Sequence, residues 1–312
     1  MSLASSSELP ASPIRINGLA PAIVSIACIA AFAAAQSPAQ DAPAAASPPP
    51  PATSHDAAAR EVPAPAAASM PLDDPAATLD QRMAALEALA RGEGRHPLVA
   101  LMARAEPVPM RDLRVRHYLP LAAALGQALP HPVPADVASA LLSRAASSDS
   151  PASQIIAIRA LDAIPESARP EGSAPFAVHR VTMATVPSRM AYDVKDFTVT
   201  AGTPVCITMS NPDSLQHNLL LVASGAMAEM GIAGDKMGET AAGRACHFTP
   251  DSPKVLAVMG LVDPGATGEV WFVAPAKPAT YPYVCTYPGH WRMMNGKMKV
   301  TAPTTSKKDS KT

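Results

Sequence analysis

Aromatic side chains are scarce in this chain: five Phe, five Tyr and two Trp among 312 residues, against 35 Pro. So few large apolar groups and so many prolines exclude one globular core running from end to end. Charge of one sign is lacking too. The 25 Lys plus Arg and 26 Asp plus Glu leave a formal net charge of −1, and no basic run is interleaved with aromatics, so nucleic acid is excluded as a partner. Only four cysteines occur, with no C-x2-C pair of the kind structural zinc favours. Neither C-x-x-C-H, which would attach haem, nor H-x-H, which would serve further metal ions, is present.

What is there divides into segments. Residues 1–35 read as a signal peptide: Arg15 is the sole basic side chain before the apolar, alanine-rich run GLAPAIVSIACIAAFAAA, which closes on Ala33-x-Ala35 ahead of Gln36. The competing reading is an uncleaved anchor, since 18 residues make about 27 Å of helix. Cys28 is a candidate for lipidation, but Ser25 stands where a lipoprotein signal wants a large aliphatic residue. Residues 36–76 read as a disordered linker, with ten Pro and 13 Ala between 36 and 75. Extended at about 3 Å per residue, it reaches on the order of 100 Å. Residues 303–312 read as a disordered tail.

Residues 77–166 carry helical periodicity. Leu79, Met83, Leu86 and Leu89 recur at spacings of four and three; Leu121, Leu125 and Leu129 at four; Ile155, Ile158 and Leu161 at three, after the N-cap and first-turn pair Ser150-Pro151. Gly92-Glu93-Gly94, Pro107-Val108-Pro109 and Pro130 to Pro134 break the pattern into short paired helices similar to HEAT-type repeats. His96, His117 and His131 lack metal-ligand spacing and take no role.

Residues 177–302 turn to period two. Phe197 and Val199 alternate with threonines, while Val205, Ile207 and Met209 point one way and Cys206, Thr208 and Ser210 the other. Strands of this kind separated by turn signals predict a β-sandwich. ASGAMAEMGIAGDKMGET, residues 223–240, predicts a helical excursion whose Met227 and Met230 pack on the sandwich.

The stretch YVCTYPGHWRMMNGKM places a thiol, an imidazole and a thioether at Cys285, His290 and Met294, in the pattern C-x4-H-x3-M with Pro288-Gly289 bending the loop. A mononuclear blue-copper site needs one thiolate and two imidazoles near one plane and a weak axial thioether. His217, opening the run HNLLLV after the turn signal Asn211-Pro212-Asp213, supplies the second imidazole. Four such side chains leave no position open for a substrate, which fits a carrier better than a reactor. His290, on a Pro-Gly loop, is the ligand expected to approach the surface.

FTVTAGTPVCITMSNPD, HNLLLV, FTPDSPKVLAVMGLVDPG, VCTYPGHWRMMNG and KMKV resemble the azurins and auracyanins of the cupredoxin family. The resemblance implies a mainly β Greek-key cupredoxin sandwich behind a small all-α module. It implies His217, Cys285 and His290 as equatorial copper ligands and Met294 as the axial one. Gln216 holds the place of a glycine whose carbonyl makes a distant contact in azurins, and Asn218 is expected to tie the two ligand loops together with Thr286. The azurin disulfide has no matching cysteines, and Cys206 and Cys246 are expected to stay unpaired, Cys206 facing away from the core. Helices before an azurin-like domain also resemble the layout of some large bacterial dehydrogenases. The function implied is a one-electron carrier with one type 1 copper, periplasmic or secreted, serving a c-type cytochrome or a dehydrogenase. A membrane enters only if the N-terminal segment is kept as an anchor. A copper chaperone or store is the alternative.

Overall fold

The computed structural model describes residues 71–303. The expected signal segment, all but the last residues of the expected linker, and the tail beyond 303 lie outside the described residues. Leu72 and Asp73 fall within that linker assignment, yet Leu72 is 1% exposed, and Asp73 accepts hydrogen bonds from Tyr118 and Arg104. An isolated leucine among prolines found a groove to fill, so the packed chain starts before 76.

Five helices come first: α1 (Leu79–Glu93), α2 (Pro97–Ala105), α3 (Arg114–Gln127), α4 (Ala135–Ala146) and α5 (Pro151–Ala163). Their ends obey local chemistry. Thr78 and Gln81 form a capping box on α1, which stops at Gly94 with φ 61°. His96 has a role the sequence did not disclose: its Nδ1 accepts from the Leu98 N–H at 3.2 Å and caps α2. Ser150 caps α5. The apolar face of α1 keeps Leu86 and Met83 in the core but not Leu79. Leu79 is 44% exposed, and Arg82, Leu86 and Ala90 turn inward, because the Arg82 guanidinium reaches back to the Asp74 carbonyl at 2.6 Å and takes the inner position. Helix α5 is the central rod, with Ile155, Ile156 and Ile158 buried. It crosses α3 so closely that a methyl on Gly126 would lie 2.4 Å from the Ala160 carbonyl oxygen.

The rest is a sandwich: β1 (His179–Val186), β2 (Ala191–Tyr192), β3 (Asp196–Thr200), β4 (Pro204–Ser210), β5 (His217–Val222), β6 (Val255–Val262), β7 (Thr267–Val273), β8 (Ala279–Val284) and β9 (Asn295–Thr301), with α6 (Met227–Met237) and α7 (Ala241–Ala245) between β5 and β6. One sheet runs β2-β1-β4-β7 and the other β3-β9-β8-β5-β6. Both are mixed, since β1 pairs β4 and β3 pairs β9 in parallel. Val205, Ile207 and Met209 meet Leu219, Leu221 and Tyr283 between the sheets. Each such leucine, fully buried, contributes about 1.5–3 kcal/mol.

Strand β5 is covered on both faces, which accounts for its unbroken apolar run. Leu219 and Leu221 face the sandwich, while Leu220 and Val222 join Ala226, Met230 and Trp291 under α6. Met227 and Met230 therefore pack as expected. Cys206 needs a correction. It does face away from the sandwich interior, but that side is closed: Cys206 is 1% exposed and, with Trp271, belongs to the helical core. Arg159 of α5 lies over the Trp271 ring at 4.7 Å, and Asp162 takes Arg180 at 2.7 Å. Cys206, Cys246 and Cys285 are free thiols, and no disulfide forms among the described residues. No helix among the described residues is long and apolar enough to cross a membrane.

Candidate metal centre

His217 opens β5 beyond a turn that is buckled to the sheet. The buried Asn211 side chain donates to the Leu215 and Val262 carbonyls at 2.8 and 2.9 Å and accepts from Thr185 at 2.7 Å. That brings Asp213 back on His217, whose Nε2 donates to the Asp213 carboxylate at 3.1 Å. The donation fixes the tautomer and leaves the Nδ1 lone pair facing inward. Burial would raise the Asp213 carboxyl, but hydrogen bonds from His217, Ser214 and Ser188 outweigh it and hold it below its ordinary value. The sequence reading took Asp213 only as part of a turn. A carboxylate four residues before a metal-binding histidine was the signal available.

Cys285 leaves β8 and enters a compact loop that returns to β9. Its N–H donates to the Met294 carbonyl at 3.0 Å, and the Met294 N–H to the His290 carbonyl at 2.9 Å. Gly289 carries φ 85°, a conformation only glycine takes without strain. Asp235 of α6 clamps the loop from outside, accepting from the Gly289 N–H and Trp291 Nε1 at 2.7 Å each and from Arg292 at 3.3 Å. Nothing in the sequence linked Asp235 to a loop more than 50 positions away. A methyl on Gly231 would sit 2.3 Å from the Trp291 ring, so α6 rests directly on that indole. Trp291 is therefore buried. Its indole N–H went inward to Asp235.

The loops bring three donors together. Cys285 Sγ stands 4.0 Å from His217 Nδ1 and 3.6 Å from His290 Nδ1, and all three ligating atoms lie within 4.8 Å of one another. A first-row metal with bonds of about 2.0 Å to nitrogen and 2.3 Å to sulfur in a trigonal plane requires an N···S separation of about 3.7 Å. The observed spacing fits. Among the described residues no other cluster of His, Cys, Asp and Glu is so arranged. The register of the two methionines is equally plain: Met294 is fully buried and Met293 is 62% exposed. The Gln216 side chain is taken up by Asp263 and Arg244 at 2.5 and 3.2 Å.

Asn218 links the ligand loops as expected. Its amide donates to Thr286 Oγ1 at 2.9 Å and accepts from the Thr286 N–H at 2.8 Å. The same NH2 group donates to the His247 carbonyl at 2.7 Å.

Auracyanin-A of Chloroflexus aurantiacus is 38% identical over 113 residues, an alignment spanning 36% of this chain and 67% of the relative. The copper binding proteins of the plastocyanin/azurin family match over residues 179–301. The chain belongs to this family. Auracyanin-B of the same organism is 32% identical over 124 residues, 39% of this chain and 52% of its own length, so about half of that relative is spanned. The solved structure of auracyanin A, a "blue" copper protein, shares 32% identity, covering 40% of this chain and all of its own at a TM-score of 0.37.

As a plastocyanin/azurin family member with a His-Cys-His cluster, the protein takes one copper. Before metal binds, the three donors are uncharged. Burial pushes the Cys285 thiol up to about 12 despite backbone N–H groups of Asn218 and Tyr287. Burial, then the neighbouring His217, brings the His290 imidazole down to about 4. Burial also lowers His217, against the opposing pull of Asp213. Loading therefore meets two imidazole lone pairs and releases the thiol proton.

The same shifts set a pH dependence. His290, His247 and His117 titrate at about 4 in the fold, mainly through burial, and near 6.5 once unfolded. Between those values the unfolded chain binds more protons. Stability of the metal-free protein is therefore expected to fall as pH drops from about 6.5 towards 4. Thermal melts at pH 7.5 and 5 check this, and equal midpoints would refute it.

Proposed function

We propose that this protein is a one-electron carrier outside the cytoplasm, with His217, Cys285 and His290 as equatorial ligands of a type 1 copper and Met294 as the axial one. The observation that carries the reading is the closed donor set: His217 and Cys285 are fully buried and His290 is 4% exposed. A metal held there supplies a one-electron couple. The chain's part is to keep the donors still. Asn218, Asp213 and Asp235 fix the loops on both sides, so little rearranges when the charge changes, and no side is open for a substrate. A chaperone or store exchanges metal through an accessible site, which this burial opposes. The N-terminal signal-like run is the support for export.

His290 is the less sealed imidazole and serves as the electron port. Its Nδ1 faces Cys285, leaving the Nε2 edge opposite, and the half-buried Tyr287 stacks on it at 4.7 Å. Residues 177–301 hold ten Lys plus Arg and nine Asp plus Glu, so long-range steering is slight and docking relies on shape and apolar surface. A c-type cytochrome or a dehydrogenase is the partner class.

The visible spectrum of the copper-loaded protein, followed through repeated oxidation and reduction, tests the reading. An intense blue band that returns on each cycle supports it; a colourless or irreversibly reduced protein overturns it. For docking, Leu215→Glu suits the test better than a change at Gly289, whose backbone a side chain would strain. Leu215 is 43% exposed, so the variant is expected to keep its band and pass electrons to a cytochrome c roughly tenfold more slowly. Unchanged rates, or a steep salt dependence in the parent, would sink the apolar-docking proposal.

A further inference from the structure

Helix α3 of the N-terminal module touches the copper domain through one residue with no acidic partner. Arg116 places Nη1 3.2 Å from His247 Nδ1 and 3.5 Å from Nε2. Among the described residues no carboxylate lies within ion-pair reach of it, whereas Arg111 and Arg180, at the same boundary between helices and strands, pair with Asp251 and Asp162. Strand β6 makes room for the contact. A methyl on Gly260 would stand 2.2 Å from Arg116 Nη1 and 2.7 Å from His247 Nδ1. A glycine there leaves the guanidinium and imidazole free to meet over the strand.

His247 is no ordinary surface histidine. It and Phe248 hold φ of 54° and 53°, two consecutive non-glycine residues in the left-handed region, a conformation that persists only where neighbours over-determine it. The restraints are all visible. The Leu261 N–H donates to His247 Nδ1 at 2.7 Å, and Arg116 Nη1 shares that lone pair as the longer arm of a three-centre bond at 3.2 Å. The His247 carbonyl accepts from Asn218, and the Phe248 carbonyl from Thr286 Oγ1, both at 2.7 Å. Asn218 and Thr286 directly follow His217 and Cys285 in the chain. The left-handed corner thus offers its two carbonyls to the two residues that orient the metal loops, and among the described residues its side-chain hold from the helical module is Arg116.

We infer that Arg116 is a positioning residue for the copper centre: from α3 it pins the His247–Phe248 corner, and through the corner's carbonyls it fixes Asn218 and Thr286 beside two of the ligands. This rests on the copper reading above. The helical module is then part of the copper site's outer frame, and not a spacer.

Two buried thiols separate this role from simple docking of the helices. Cys285 lies in the metal loops, and Cys206 lies under the helical module. In the metal-free full-length protein, Arg116→Ala is expected to speed iodoacetamide alkylation of Cys285 severalfold, because a loosened corner opens the buried thiol more often, with Cys206 unchanged by peptide mass spectrometry. Arg180→Ala, which loosens the same boundary away from His247, is expected to leave Cys285 unchanged. Arg116→Lys keeps the charge and the apolar stem and should fall between parent and Ala. In the copper-loaded protein, Arg116→Ala should shift the blue band and release copper to a chelator about tenfold faster. Parent-like Cys285 reactivity in Arg116→Ala overturns the inference, as does acceleration of Cys206 and Cys285 together, which would mark undocking. A parent without a blue band would defeat the copper reading, while the alkylation comparison would still decide the role of Arg116.

Discussion

Cys285→Ser is expected to abolish the blue colour altogether. The thiol is fully buried at the meeting point of both imidazoles, and a hydroxyl of nearly the same shape keeps the fold while removing the sulfur donor from which the intense band arises. The comparison is clean because the Cys285 N–H bond to the Met294 carbonyl involves only backbone. A Cys285→Ser protein as blue as its parent would move the metal elsewhere. Met294→Leu is the matching control: it keeps the colour and raises the reduction potential, since a lost axial donor disfavours the oxidised metal.

The second large effect is expected at Asn218→Ala. Its side chain makes three hydrogen bonds with no exposure to water, two to Thr286 and one to the His247 carbonyl. Truncation leaves the Thr286 N–H and the His247 carbonyl unpaired in the interior. Each unpaired group costs about 1–3 kcal/mol, so a loss of about 3 kcal/mol in all is expected. At roughly 2–4 °C per kcal/mol for a chain of this size, the melting midpoint should fall by about 10 °C. Calorimetry of the metal-free protein measures it without reference to copper. A drop under about 2 °C would mean that water replaces the amide and that the bridge is not a tie.

Most of the His-Cys-His cluster was legible because it is local. Cys285 and His290 occupy one loop at a spacing that a tight turn satisfies, while His217 comes from β5, which announces itself by an apolar run after a turn. The sandwich was legible for a related reason, since period-two alternation follows directly from the pleat. What escaped were contacts made across the chain. Asp235 grips Gly289 from a helix, Arg116 reaches His247 across 131 positions, and neither residue stands in any motif. Burial was misjudged where a second layer decides it. Cys206 points away from one core into another, and Leu79 gave up its inner place to Arg82 because an arginine stem buries well once its head finds a carbonyl.

The sheet face beneath α5 has a consequence for the protein's architecture as a folding unit. Cys206, Trp271 and the half-buried Val273 share their core with the helices, and the described residues, 71–303, fall within one compact unit. A chain cut at the apparent seam near 177 would bare a large tryptophan and its apolar neighbours to water. Such a surface invites self-association. The seam that composition draws so clearly is therefore a boundary of secondary structure and not of stability, and helices and copper domain should melt in a single cooperative step.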